Sequence, residues 1–151
     1  MTAGKTKEFA EAVLQYFADG EALPGHTGLY VALVSGVPTG TPPYDGLAVS
    51  QKECLPGTYR APLGTEKLSS LTKAGGTISI TNDGVDPIVD FGVAPSAMDV
   101  SGYALTLSQT STAASAYIAY EIFDVAIAKQ RKVNQSDTVK INESGLVIKE
   151  K

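Results

Sequence analysis

Apolar residues near the start of the chain repeat with helical spacing. Phe9, Val13 and Phe17 follow one another at intervals of four, so a helix over residues 6–19 would carry one apolar stripe. Thr6 at its start has the hydroxyl side chain that an N-cap favours. We expect this helix to pack on a sheet, and the alternative is that its stripe contacts a neighbouring subunit.

From Gly28 onward the repeat changes to the alternation of β-strands. Turn-forming clusters of Gly, Pro, Asn and Asp separate eight apolar segments, which read LYVALVS, GTYRAPL, TISITN, IVDFGVA, GYALTLSQ, AYIAYEIFDV, DTVKIN and LVIKE. No helical crossover lies between them, which disfavours a parallel sheet. The pattern predicts an all-β fold, an antiparallel β-sandwich or jelly roll of about eight or nine strands over 28–151 with one N-terminal α-helix. We expect 1–151 to form a single domain.

The last nineteen residues predict two short strands. Val139 and Ile141 alternate with polar residues, and Leu146 and Ile148 resume the alternation after the Glu-Ser-Gly turn at 143–145. We expect these four apolar side chains to face one way and the terminus to be part of a sheet.

Composition narrows the classes of function. Hydrophobic residues make up 43% and charged residues 19% of the 151, and the net charge is −4, a balance typical of a globular chain that does not bind nucleic acid. The one basic cluster, Lys129, Arg131 and Lys132, is interpreted as a solvated loop or strand end. No run of 18 apolar residues occurs, so we expect no membrane segment and a soluble protein made in a cytoplasm.

Few residues suggest chemistry. His26 is the only histidine, Cys54 has no second thiol to pair with, and Asp83 and Asp86 lie in a turn without the ligand spacing of a calcium loop. Cys54 is interpreted as a small buried side chain. We predict no catalytic, cofactor-binding or metal-binding residue, no cofactor, and no enzymatic activity.

Paired carboxylates would be the signature of a glycosidase. Glu121 and Asp124 lie in one strand-like segment, but alternation puts them on opposite faces of that strand, so they would not converge as a catalytic pair does.

Two segments are the candidate contact elements. The proline-rich stretch from Val37 to Gly46 is predicted to be an exposed loop, and exposed loops commonly carry binding residues. The apolar stripe of the helix is the second element. The predicted interaction residues are Phe9, Val13, Phe17, Val37, Pro38, Pro42, Pro43 and Tyr44.

The order of several segments resembles a known group of proteins. After the N-terminal helix come GLYVALVSGVPT, PGTYRAPLG, GGTISITN and a closing RKVNQSDTVKINESGLVI. This order resembles the small virion proteins of tailed bacteriophages that are described as head-decoration or tail-fibre proteins, in which an LYVAL strand and a GGYAR-like strand precede an ending of the form KTVNSGDTVSF…GALTI. The strongest matches are Leu29 to Leu33, Tyr59 to Ala61 and Val133 to Ile148, and a segment without tryptophan replaces the tryptophan-containing middle of typical members.

The resemblance implies a structural role in a virion, because each matching motif is a strand or turn. It implies a homo-oligomer that contacts the major capsid protein or tail proteins. Size favours a capsid decoration or cement protein over a tail or tail-fibre component, because a fibre normally needs a long trimerisation shaft or a distinct adhesin domain and 151 residues leave room for neither. A competing hypothesis is a carbohydrate-binding jelly-roll module for host attachment, which would use loop tyrosines such as Tyr44 and Tyr59.

Overall fold

The computed structural model describes residues 2–23, 25, 28–63, 70–74, 77–81, 89–123, 131–141 and 147–150. Within them the chain forms twelve strands, two α-helices and one 3-10 helix. In chain order these are β1 (Thr2–Lys5), α1 (Lys7–Asp19), β2 (Leu29–Val34), α2 (Gly46–Ser50), β3 (Arg60–Leu63), β4 (Ser70–Ala74), β5 (Thr77–Thr81), β6 (Val89–Val93), β7 (Met98–Val100), β8 (Gly102–Thr106), the 3-10 helix (Ala114–Ala116), β9 (Tyr117–Ile122), β10 (Arg131–Val133), β11 (Thr138–Ile141) and β12 (Val147–Glu150).

The strands form four sheets in which the described pairs are antiparallel. The largest sheet has five strands in the order β1-β9-β8-β2-β3, two sheets have two strands each, β10-β7 and β11-β6, and a three-stranded sheet has the order β12-β5-β4. This confirms the prediction of an all-β chain with one N-terminal helix of several turns. All eight predicted segments contain a strand, and the alternation did not reveal four more, β1, β4, β7 and β10.

The five-stranded sheet is buried on both faces, as the burial of every residue of β8 indicates. On one face, Val31 and Leu105 pack with Val89 of β6, and Phe91 and Ile141 from the β11-β6 sheet lie against the same cluster. A neighbouring cluster places Leu33 and Cys54 beside Val100 of β7, Val133 of β10 and Val139 of β11. The two small sheets therefore cover this face.

Helical and loop segments cover the opposite face. Val34, Ala104 and Ile122 of the sheet pack with Tyr44 and with Val49 of α2. The sequence did not predict the short helix α2, because its five residues are too few to show a helical repeat. Asp45 caps it by accepting a hydrogen bond from the Ala48 N–H at 2.7 Å.

Helix α1 has the ends that its sequence favours. The Thr6 hydroxyl accepts a hydrogen bond from the Phe9 N–H, and Gly20 closes the helix in the left-handed conformation with φ of 72°. Glycine adopts this conformation without the steric cost that a Cβ atom imposes.

The two C-terminal strands exist as predicted but do not pair with each other. Strand β11 pairs with β6, and β12 pairs with β5 of the three-stranded sheet. The expected common face of their four apolar side chains stays a prediction, because Leu146 and the side chain of Ile148 lie outside the description. Val139 and Ile141 are half-buried.

Some predictions fall on residues outside the described ranges. They concern five polar or charged residues and one apolar residue: His26, Asp83, Asp86, Asp124, Lys129 and Leu146.

Candidate interaction surface

The first turn of α1 is fixed to the body of the protein. The buried Thr6 hydroxyl donates a hydrogen bond to the Tyr117 carbonyl at 2.6 Å, which joins the start of the helix to β9. The Glu8 carboxylate accepts a hydrogen bond from the Gly46 N–H at 2.6 Å, at the start of α2. Gly46 itself fits so closely against the 3-10 helix that an added Cβ atom would lie 2.0 Å from the Ala114 carbonyl oxygen. Hydrogen bonds to β9 and to the start of α2 therefore hold the first turn of the helix in place.

The second half of α1 leaves this support. Phe9 and Val13 are half-buried, whereas Leu14 is 68% exposed, Tyr16 47% and Phe17 77%. The predicted stripe therefore divides, with Phe9 and Val13 turned to the protein and Phe17 turned to solvent. Leu14 and Phe17, which are three residues apart on one side of the helix, form what we call the exposed apolar face of α1, and the Tyr16 ring contacts the Phe17 ring beside it. Leu14 and Tyr16 were not among the predicted contact residues, although both are apolar residues of this helix.

The proline-rich loop is exposed only at its tip. Val37 packs against the core cluster around Tyr117, and Pro38 is buried. Pro42 and Pro43, which are joined by a cis peptide bond, are exposed. The prediction of an exposed loop from Val37 to Gly46 is thus correct for residues 39–43 and wrong for both ends, where apolar side chains gain more from burial than from solvent contact.

Tyr44 is a core residue. It is 5% exposed, its ring centroid lies 5.2 Å from that of Tyr120, and its N–H donates to the Tyr120 hydroxyl at 3.1 Å. Tyr59 is 8% exposed and packs beside Phe91. Neither tyrosine presents an open ring on which a sugar would stack, so the two residues named for a carbohydrate site do not form one.

The two candidate contact elements meet at one point. The Lys7 N–H at the start of α1 donates to the Tyr44 carbonyl at the end of the loop, at 3.1 Å. Leu47, the second residue of α2, is 54% exposed. The structure therefore places the base of α1, the loop and the start of α2 side by side.

A buried ion pair contacts the hydroxyl of Tyr117, the residue whose carbonyl accepts the hydrogen bond from Thr6. The Arg60 guanidinium contacts Glu53 through two hydrogen bonds, Nε to Oε1 at 2.7 Å and Nη2 to Oε2 at 2.9 Å, and both side chains are fully shielded from solvent. Arg60 also donates to the Ser108 carbonyl at 2.7 Å and to the Tyr117 hydroxyl at 2.9 Å. The Tyr117 hydroxyl donates to Glu53 in turn.

Burial and the hydrogen bonds of this network shift the pKa values of Arg60 and Tyr117. Burial alone would lower the pKa of Arg60, but the hydrogen bonds and charge of Glu53 outweigh it and the pKa is raised. Burial and then the hydrogen bond to Glu53 raise the pKa of Tyr117 to about 12. Both groups therefore keep their protons at neutral pH, and their donors are used within the protein. The network joins β3 and β9 to the segment after α2.

Two other predicted residues have structural partners. Glu121 is half-buried and accepts a hydrogen bond from the Tyr103 hydroxyl, and burial together with this contact raises the pKa of Tyr103. Cys54 is buried as predicted, and burial, then the charges of Glu53 and Asp99, raise the pKa of its thiol to about 11. A thiol of such high pKa is a poor nucleophile at neutral pH. Arg131 and Lys132 are exposed on strand β10, as expected of a solvated cluster.

Among the described residues, no group of three or more His, Cys, Asp and Glu side chains lies close enough together to hold a metal ion. In that same part of the chain, no helix has the length and apolar character needed to cross a membrane.

Comparison with known proteins gives no relative from which a function could be transferred: the chain matches no protein-family model and no curated protein.

Proposed function

We propose that this chain is a non-enzymatic structural protein of a tailed-bacteriophage virion, and that it decorates and stabilises the head by contact with the major capsid protein. The order of its segments, from GLYVALVSGVPT to the closing strands, supports the virion assignment by resemblance. The observation that carries the role of contact is the exposed apolar face of α1, which projects from a firmly anchored first turn. Clusters of exposed apolar residues commonly mark surfaces that bind other proteins.

We propose further that the β-strands form a sandwich. In support, Val89 and Phe91 of the β11-β6 sheet pack against Val31 and Leu105 of the five-stranded sheet. Val133 and Val139, from β10 and β11, add to a second cluster on the same face. Face-to-face contact of apolar side chains from two antiparallel sheets is the defining feature of this architecture.

A decoration protein acts through area and number of contacts. A specific protein interface buries roughly 800 Å² on each partner, and a small domain can supply that from one helix face and one loop tip. Several linked copies on a repeating lattice multiply weak single contacts, because each attachment raises the local concentration for the next. The protein would be made in the host cytoplasm and would function in the virion.

The test is removal from and return to purified particles. Heads stripped of the protein should stay intact but break at a lower temperature, and the added protein should restore heat resistance with saturable stoichiometry. Phe17→Glu protein should rebind more weakly, whereas Val93→Glu, the same change at an exposed valine of β6, should rebind normally. Stripped heads with unchanged heat resistance would contradict the cement role.

A tail or tail-fibre component is the second candidate, and the same segment order supports it. Location on the particle separates the two roles. The carbohydrate-binding hypothesis has lost its two named residues, since Tyr44 and Tyr59 are buried. Binding of the purified protein to a glycan array would reopen it.

A further inference from the structure

A groove lies between the two short strands β10 and β11. It has a volume of about 370 Å³ and is lined by residues 131–133 on one side and 137–140 on the other. Within the described residues, β10 pairs with β7 alone and β11 with β6 alone, so the two strands do not pair with each other. Each strand therefore has one edge whose backbone N–H and C=O groups have no strand partner in that part of the chain.

The turn that joins the two strands is held by four hydrogen bonds. The Asn134 N–H donates to the Asp137 carboxylate at 2.8 Å, and the Asp137 N–H donates to the Asn134 carbonyl at 3.1 Å. The Ser136 N–H donates to the Ala94 carbonyl and the Ala94 N–H donates to the Asp137 carbonyl, both at 2.8 Å. The turn between the two walls of the groove is therefore joined to the segment that follows β6.

The groove has apolar residues at its base and basic residues around it. Val133 and Val139 are half-buried and pack against the core cluster that contains Leu33. Three of the other lining residues are basic and exposed, namely Arg131, Lys132 and Lys140. The one described carboxylate that lines the groove, that of Asp137, already accepts the hydrogen bond from Asn134. The groove therefore carries positive charge, although the net charge of the chain is −4.

The positive charge of the groove is only partly compensated. Lys140 lies 3.9 Å from the Asp90 carboxylate, and both side chains are about half exposed. Lys132 is opposite Asp99 in the β10-β7 pair, but it forms no ion pair with any described residue. A carboxylate brought to the groove would therefore be attracted to it.

We propose that this groove binds an extended acidic segment of a partner protein, which pairs as a strand with the open edge of β11. The side chains of such a strand alternate between the two faces of the sheet. On the inner face they would extend the apolar contacts of Val139, and on the outer face they would lie beside Lys140, where carboxylates are favoured. Backbone hydrogen bonds would supply the affinity, and the alternation of apolar and acidic side chains would supply the specificity.

The same charges disfavour a second copy of this chain as the occupant. Two copies that paired through this edge would bring the basic residues of one copy against those of the other, and like charges on neighbouring strands are unfavourable. Lysine on an edge strand is a common means by which proteins prevent such self-pairing.

The groove is separate from the contact surface of the proposed function. Strands β10 and β11 belong to the small sheets that cover one face of the five-stranded sheet. Helix α2 and the proline-rich loop, to which α1 is joined, cover the opposite face. An acidic segment in the groove is therefore an additional partner, and it leaves the exposed apolar face of α1 open.

Nuclear magnetic resonance titration of the ¹⁵N-labelled full chain tests the proposal. The probe is a blocked seven-residue peptide of alternating Glu and Val, and the control peptide has Lys in place of each Glu. The Glu peptide should shift the amide signals of residues 131–133 and 138–141, and it should bind at least ~10-fold more tightly than the Lys peptide. Strand pairing should also slow amide hydrogen exchange along β11, which a purely electrostatic contact would not do.

Charge-reversal variants test the role of the basic residues. Lys132→Glu and Lys140→Glu should each weaken binding of the Glu peptide about fivefold, because each replaces an attraction by a repulsion. Lys7→Glu, the same change at an exposed lysine of α1, should leave the binding unchanged. Signals outside the groove that keep their positions would show that each variant is folded.

Three results would overturn the proposal: groove signals that do not move at millimolar peptide, equal binding of the two peptides, or undiminished binding to Lys132→Glu protein. Groove signals that shift with protein concentration in the absence of peptide would overturn it as well, because they would make a second copy the occupant. Each of these results is possible whether or not the protein protects stripped heads, so this proposal and the proposed function fail separately.

Discussion

Glu53 and Arg60 are the most strongly coupled residues of the described core. Both are fully buried, and their carboxylate and guanidinium are joined by two hydrogen bonds of 2.7 and 2.9 Å. Removing one partner of such a pair leaves a buried charge without compensation, which costs roughly 3–5 kcal/mol. We expect Glu53→Gln and Arg60→Met each to lower the free energy of unfolding by about that amount, as urea titration would measure.

The matched control is the exposed pair Lys140 and Asp90, whose closest atoms are 3.9 Å apart. Lys140→Ala should change stability by no more than about 0.5 kcal/mol, because exposed pairs contribute little. The double variant Glu53→Gln, Arg60→Met should lose less than the sum of the two single losses. Equal effects of Glu53→Gln and Lys140→Ala would show that the buried pair contributes no more than a surface pair.

The Tyr117 hydroxyl should make the folded protein less stable at high pH. The folded state raises its pKa from 10.0 to about 12, so the folded state holds the proton after the unfolded state has released it. The contribution is complete below pH 10, and it is lost as the pH rises from 10 through 12. The melting temperature should fall across this window, and it should fall less steeply in Tyr117→Phe. Cys54, with a pKa raised to about 11, acts in the same direction and is best replaced by Ala in both proteins.

A melting temperature that fell equally steeply with and without the Tyr117 hydroxyl would contradict this assignment. It would place the alkaline sensitivity in other groups, such as Tyr103, whose pKa is also raised.

At the scale of elements, Gly46 fixes how α2 meets the 3-10 helix. A Cβ atom there would lie 2.0 Å from the Ala114 carbonyl oxygen, a backbone atom that cannot rotate away. Gly46→Ala should therefore displace α2 together with its hydrogen bond to Glu8, at a cost of about 3 kcal/mol or more. Thermal unfolding would measure this loss of stability. Gly25→Ala is the control, since nothing lies within 4 Å of the added atom, and a similar loss in both variants would exclude the close approach as the cause.

Thr6 links α1 to the five-stranded sheet. Its hydroxyl accepts from Phe9 as the helix cap and donates to the Tyr117 carbonyl at 2.6 Å. Thr6→Ala removes the cap and a buried hydrogen bond, and each contributes about 1 kcal/mol. We expect a loss of about 2 kcal/mol in denaturant unfolding, against no measurable loss for Thr39→Ala in the exposed loop tip. A neutral Thr6→Ala variant would show that the helix is held by its other contacts.

The elements that the sequence predicted are those with a local signal. The stripe of Phe9, Val13 and Phe17 indicated α1, and alternation indicated β2, β8 and β9. Pairing partners depend on contacts between distant residues, so the assignment of β11 and β12 to different sheets could not be inferred from their own residues. Strand β1, TAGK, has no apolar alternation and is a strand because β9 offers it a partner.

The predicted contact residues differ in exposure. Apolar spacing placed Phe9, Val13 and Phe17 on one stripe but did not show that only Phe17 is exposed, because burial depends on where the supporting sheet ends. Tyr44 lies in a polar, proline-rich segment and was expected to be exposed. It is buried because Tyr120, 76 residues further along, provides a ring and a hydroxyl acceptor.

At the scale of the whole molecule, the described residues combine a well-packed sheet with one helix whose second half exposes apolar side chains. The five-stranded sheet is covered on both faces, its buried charges are paired, and the second half of α1 extends into solvent. This arrangement suits a protein that adds to a finished surface. In the proposed role, the packed sheet would carry the helix, and the helix would supply the contact area.

The most direct measurement is the position of the protein on intact particles, by electron microscopy of virions labelled with gold-conjugated antibody against this chain. A decoration protein should give label spread over the whole head, at many copies per particle, and stripped heads should lose it. Label confined to the tail would replace decoration by the tail-component role. Particles without any label, from virions whose genome encodes the chain, would contradict a structural role in the virion.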